Sequence, residues 1–130
     1  MKAQITFLAL VQDIDDYNKA EHGEKQMVSR IVFSLEFDGL KHDQLVVEVS
    51  RPRWSDYKTA PLTFGSLSHG LMGGPWNHEA FADLADDYYR SALELSVSRG
   101  EASDVWIRNN RIDWVKTYDV DIEVGWSPPP

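Results

Sequence analysis

Residues 27–50 read MVSRIVFSLEFDGLKHDQLVVEVS, and their pattern decides the fold. Ile31, Phe33, Leu35 and Phe37 alternate with Arg30, Val32, Ser34 and Glu36, which is the period-two spacing of a strand with one buried face. Asp38-Gly39 follows, a dipeptide suited to the positive φ of a tight turn. Val47 and Val49 then lie opposite Val46 and Glu48 in a second strand, Leu45–Ser50, which Pro52 ends. The two strands make a hairpin. Its connection is either the two-residue turn or a longer loop from Asp38 to Asp43.

Upstream, Ala3–Val11 reads as a further strand. Ile5, Phe7, Ala9 and Val11 fall on one face and Leu8 and Leu10 on the other, so both faces are apolar, as in a central strand. The polar stretch Asp13–Lys25 reads as a loop, with Gly23 available for a turn.

Downstream comes one helix. Asn77 is a good N-cap after Pro75, and Glu79 places an acid in the first turn, where the helix dipole favours it. Phe81, Leu84, Ala85, Tyr88, Ala92 and Leu95 recur at helical spacing, with Asp83, Asp86, Asp87, Arg90 and Glu94 on the other side. Gly100 is a natural stop. The helix should run about 20 residues, roughly 30 Å. Phe81, Leu84, Tyr88 and Leu95 are expected to pack on Ile31, Phe33 and Leu35.

The chain then returns to strands. Val105 and Ile107 precede the turn-prone Asn109-Asn110. Ile112, Trp114, Tyr118, Val120, Ile122 and Val124 then share one parity, while Asp113, Thr117, Asp119, Asp121 and Glu123 share the other. A short helix over residues 105–115 is the alternative to the hairpin. The order βββαββ predicts a two-layer α+β fold, a mostly antiparallel sheet of about five strands covered on one face by the helix. Residues 1–126 form one domain, and Ser127-Pro128-Pro129-Pro130 is a polyproline-like tail.

Composition narrows the class of protein. With 130 residues, 42% hydrophobic and 26% charged, the chain can bury a core of its own. No cysteine is present, so neither disulfides nor thiol chemistry enter. The formal charge of -8 disfavours nucleic acid and anionic membranes as partners, since both need a basic face. The start, Met-Lys-Ala-Gln-Ile-Thr, lacks the apolar core of a secretion signal, and no apolar run reaches membrane-helix length. A soluble cytoplasmic protein is the expectation. The acid clusters, Asp13/Asp15/Asp16, Asp83/Asp86/Asp87 and Asp119/Asp121/Glu123, read first as solvated surface. An acidic face for a basic partner is the sharper reading.

Candidate sites concentrate between Arg51 and Trp76, a long connection with no pattern of its own. Arg51, Arg53, Trp54 and Tyr57 combine cations and flat rings, the residue types favoured at binding hot spots. His69, Trp76 and His78 follow near the helix start, where backbone N–H groups are free. These seven residues are the expected binding set. Gly70, Gly73 and Gly74 read as a tight entry to the helix, because no Gly-Lys-Ser/Thr ending marks a phosphate loop. His69 and His78 lack the further ligands of a zinc site, and Ala82 stands where His78-Glu79 would need a second His. Asp13, Asp15, Glu21 and Glu24 match four calcium-loop positions, but Asn18 replaces the required glycine. No metal or other cofactor is expected. No catalytic residues emerge, because a nucleophile elbow is absent and Asp86/Asp87 diverge on a helix.

Two functions follow. The first is a non-catalytic binding domain, one version of it an acidic inhibitor-like module that binds a protein. The second is a small enzyme or ligand-binding protein with a pocket between the 51–76 loop and the helix start. A homodimer is also expected, because the last strand carries Trp114, Tyr118 and Val120 and a small single-helix fold leaves sheet surface or an edge to cover.

Overall fold

The computed structural model describes residues 2–12, 20–21, 24–37, 39–52, 56–64, 78–100 and 111–121. The side chains of residues 20–27, 37, 40 and 78–80 lie outside that description. Six strands and one helix follow in chain order: β1 Lys2–Gln12, β2 Ala20–Glu21, β3 Glu24–Phe37, β4 Leu40–Pro52, β5 Thr63–Phe64, α1 His78–Ser98 and β6 Arg111–Asp121. They form one antiparallel sheet in the order β5-β4-β3-β1-β6, with β2 paired to the start of β3. The fold is α+β, as the sequence pattern implied.

The hairpin closes tightly. Phe37 pairs with Leu40, and Gly39 takes a φ of 74°, so the two-residue turn holds and the longer loop does not. The slack appears within β4 instead, where the register shifts opposite Phe33–Leu35 and Gln44 adopts a φ of 58°. Two short elements break stretches expected to be loops. Ala20–Glu21 pairs back on Glu24–Lys25, and Thr63–Phe64 pairs with Val49–Ser50.

Strand β1 is central, between β3 and β6. Its two apolar parities have a cause that the pattern did not reveal. A bulge at Leu8 shifts the register between Phe7 and Ala9. Cross-strand partners share a face, so Leu10, opposite Ile31, joins Ala3, Ile5 and Phe7 under the helix. Ala9 and Val11 turn to the other face.

The core lies between this sheet face and α1. Phe81, Ala85, Tyr88, Tyr89, Ala92 and Leu93 are buried from the helix side. Leu84 is half-buried against the cluster, and Leu95 is half-buried at the rim. The expected use of Leu95 is therefore corrected to Leu93, because the buried stripe is centred nearer Tyr89 than a wheel drawn through Tyr88 suggests. Phe7 stacks on Tyr88 at 4.8 Å, and Tyr88 on Trp114 at 5.3 Å. Phe7 and Phe33 also meet Phe81, at 6.2 and 5.2 Å. Such ring pairs contribute about 0.5–1.5 kcal/mol each beyond their buried area.

The helix ends as its sequence signals. The Gly100 N–H donates to the Val97 carbonyl at 3.0 Å, with Gly100 at a φ of 73°. After it, residues 111–115 are strand, which excludes the helix alternative there, and 101–110 lie outside the described residues. The tail at 127–130 does so too. Among the described residues no helix is long and apolar enough to cross a membrane.

Candidate functional site

Two structures flank α1 and define its outward side. The first is the turn at residues 56–60. The Asp56 carboxylate accepts from the Lys58 N–H at 2.9 Å, and the Asp56 carbonyl accepts from Thr59 and Ala60. An Asx turn of this kind fixes a short loop without a strand. Arg90 then fastens it to the helix. Its guanidinium donates to the carbonyls of Tyr57 at 2.6 Å and Ala60 at 2.8 Å. The same group holds Asp86, one helical turn back, at 2.6 and 3.2 Å. Tyr57 is buried except at its hydroxyl, which donates to Glu94 at 2.7 Å.

The second flank is β6. Tyr88 donates to the Trp114 carbonyl at 2.6 Å, and burial pushes its phenol well above the ordinary value. Lys116 lies over the rings of Trp114 and Tyr118, at 5.6 and 4.8 Å, and donates to Asp87 at 3.1 Å. The Tyr118 hydroxyl donates to the same carboxylate. That bond, with Lys116 beside it, lowers the Asp87 pKa. The Lys116 pKa is raised, chiefly by its hydrogen bond with Tyr118. Tyr118 itself is pushed up by burial first and then by its bond to Asp87.

Between these flanks an open groove of about 730 Å³ crosses the outward side of α1. Tyr57, Lys58 and Arg90 form one wall, Trp114 and Lys116 the other, and Leu95 is the apolar part of the floor. Its size is that of a ligand site, but its openness suits a segment of chain better than an enclosed small molecule.

Of the seven residues expected to bind, Tyr57 reaches this groove. Arg51 turns inward. It is 2% exposed, and its Nε donates to the Tyr89 hydroxyl at 2.8 Å, inside the core with Ser29 at the same hydroxyl. Burial raises the Tyr89 pKa, and the nearby Arg51 charge and hydrogen bonds from Arg51 and Ser29 oppose that rise. Arg51 therefore tethers β4 to the helix. Arg53, Trp54, His69 and Trp76 lie outside the described residues, as does the side chain of His78, which opens α1. The pocket imagined between the loop and the helix start falls largely in the same stretch.

Sequence reasoning missed Lys58, Arg90, Leu95, Trp114 and Lys116. The Asp86/Arg90 spacing of four residues was a legible ion-pair signal, but its reach to two loop carbonyls was not. Asp86 and Asp87 do diverge, the one toward the turn and the other toward β6. Among the described residues no group of three or more His, Cys, Asp or Glu could hold a metal. Of the four acids that match calcium-loop positions, Glu21 and Glu24 are antiparallel strand partners, while Asp13 and Asp15 lie outside the described residues. Comparisons with models of known protein families, with curated proteins and with solved structures each find no significant match.

Proposed function

We propose that this chain is a non-catalytic binding module and that the groove over α1 is its contact site. One observation carries the reading. The groove joins the Trp114 ring, the edge of the buried Tyr57 and two lysines, on walls fixed by hydrogen bonds, around an apolar floor. Preordered rings with cations at their edges are what a binding hot spot requires. The partner that fits is a protein segment with an apolar side chain for Leu95 and acidic groups for Lys58 and Lys116. Both lysines already face acids of the protein, Lys58 toward Glu94 at 4.0 Å and Lys116 toward Asp87 at 3.1 Å, so a partner's acidic groups would share them.

Peptide display against the protein tests the proposal. Selected peptides should be rich in acidic and apolar residues. Leu95→Arg should weaken them about tenfold or more, equivalent to ~1.4 kcal/mol. Peptides that bind the variant and the wild type equally would place the contact elsewhere.

A further inference from the structure

We infer that Trp114, Tyr118 and Asp87 form an ammonium seat, held by Lys116 in the free protein, which takes the quaternary or trimethylated ammonium group of a ligand. The structure shows the seat with a cation in it. The Lys116 Nζ lies 4.8 Å from the centre of the Tyr118 ring, 5.6 Å from that of Trp114 and 3.1 Å from the Asp87 carboxylate. Two rings and a carboxylate converging on one ammonium is the arrangement by which quaternary ammonium groups are recognised. Contacts other than Lys116 hold each part in place. Trp114 stacks on Tyr88 at 5.3 Å, and the Tyr88 hydroxyl donates to the Trp114 carbonyl at 2.6 Å. Tyr118 packs edge-on against Phe7 at 5.6 Å, and its hydroxyl donates to Asp87. That bond lowers the Asp87 pKa, so the carboxylate is ionised at neutral pH. The backbone contributes as well. From Lys116 to Asp113, β6 advances three residues while β1 advances two, which puts an extra residue at Trp114–Val115. Such a bulge bends a strand and re-aims its side chains.

Lys116 is a weak occupant. Its side chain is 38% exposed and that of Asp87 53%. A pair so open to water is held by a factor of about five or less. The lysine ammonium is compact and strongly hydrated, and it gives up part of that water to lie over the rings. A quaternary ammonium has no N–H to hydrate. It sets methyl groups against the rings while its charge still faces Asp87, so it loses less water and covers more ring surface. A ligand that replaces Lys116 must better it on those terms, and an unmethylated lysine does not. Trp114 and Lys116 also line one wall of the groove, so the seat is reached from there. Once displaced, Lys116 can pair with an acidic group of the same ligand. The seat goes beyond the peptide reading of the groove, because it needs the open wall but neither Leu95 nor a peptide.

Choline chloride, titrated at constant ionic strength, tests the seat, with dimethylbutanol, its uncharged carbon isostere, as the control. In NMR spectra choline should shift the Trp114 indole and Tyr118 ring resonances, and the alcohol should not. Lys116→Ala should bind choline more tightly, by up to about fivefold, because the resident cation is gone. Asp87→Asn keeps an acceptor for Tyr118 and loses the charge, so it should weaken choline by a similar factor. A peptide carrying trimethyllysine should outbind its unmethylated twin if the ligand is a protein segment. A response to choline alone assigns the seat to a small molecule. Choline binding in a protein that selects no displayed peptide would sink the peptide reading and leave the seat standing. The inference is overturned if choline shifts neither ring in the wild type or in Lys116→Ala. It is equally overturned if the alcohol acts as choline does, or if Lys116→Ala leaves choline affinity unchanged.

Discussion

The two flanks of α1 are held by different physics. On the β6 flank, Phe7, Tyr88 and Trp114 stack in a row, and the energy comes from apolar area removed from water. On the other flank, Arg90 and Tyr57 fasten the 56–60 turn by charged and polar hydrogen bonds at the protein's edge. Packed rings tolerate no vacancy, because a core cannot refill the space. Charged bonds near water are replaced in part by solvent when lost. The β6 flank should therefore be the stable wall of the groove, and the turn its more easily opened one.

Tyr88→Ala tests the difference most severely. The ring is fully buried between two others, and its loss should cost about 3–5 kcal/mol in urea melts. Tyr88→Phe keeps the stack and loses one hydrogen bond, so it should cost about 1 kcal/mol. If the two variants lost the same amount, stacking would not be what holds this flank.

Arg90→Ala should cost less, about 2 kcal/mol, although it removes four hydrogen bonds. Amide exchange at residues 57–60 should accelerate while the β1 amides keep their protection. Arg90→Lys should recover less than half, because a point charge cannot serve two carbonyls and a carboxylate as the planar fork does. A uniform loss of protection over the whole sheet would erase the distinction between the flanks.

Leu95→Ala should cost about 1 kcal/mol, since the side chain is half-buried on the groove floor. Leu93→Ala, at a site 1% exposed, should cost about 2–5 kcal/mol. The reverse order in parallel melts would mean that the helix is rotated from the position described.

The smallest effect concerns acid. The folded Asp87 pKa lies below its ordinary 3.8, owing first to the Tyr118 hydrogen bond. As pH falls, the unfolded state takes up this proton first. The stabilisation is therefore present above pH 3.8 and is lost as pH drops through the lower folded value. Asp87→Asn should differ from wild type near neutral pH and converge with it in stronger acid. The gap should be small and salt-sensitive, because the carboxylate is largely exposed. A gap that widened toward acid would reverse the assigned sign.

Particular residues show how far the sequence could be read. Ile31, Phe33 and Leu35 declared their strand, and the stop at Gly100 was legible, because both depend on neighbours a few residues away. Tyr57 entered the expected binding set by residue type, and the fold sets it in the wall of a groove that the sequence did not announce. Arg51 was misleading by the same criterion: a guanidinium reads as a surface cation until a buried Tyr89 hydroxyl is found 38 residues away. Lys58, Trp114 and Lys116 carried no local mark of sharing a site.

The sequence by itself determined the four long strands, the helix, its stop and the tight Asp38-Gly39 turn, because periodicity and backbone preference act over short range. Tertiary structure alone decided the order β5-β4-β3-β1-β6, the Leu8 bulge that turns Leu10 into the core, and the inward course of Arg51. It also decided that the 56–60 turn and β6 would face each other across one helix. Those outcomes depend on which distant side chains fill the same space. Close packing settles that globally, and no local window of residues contains it.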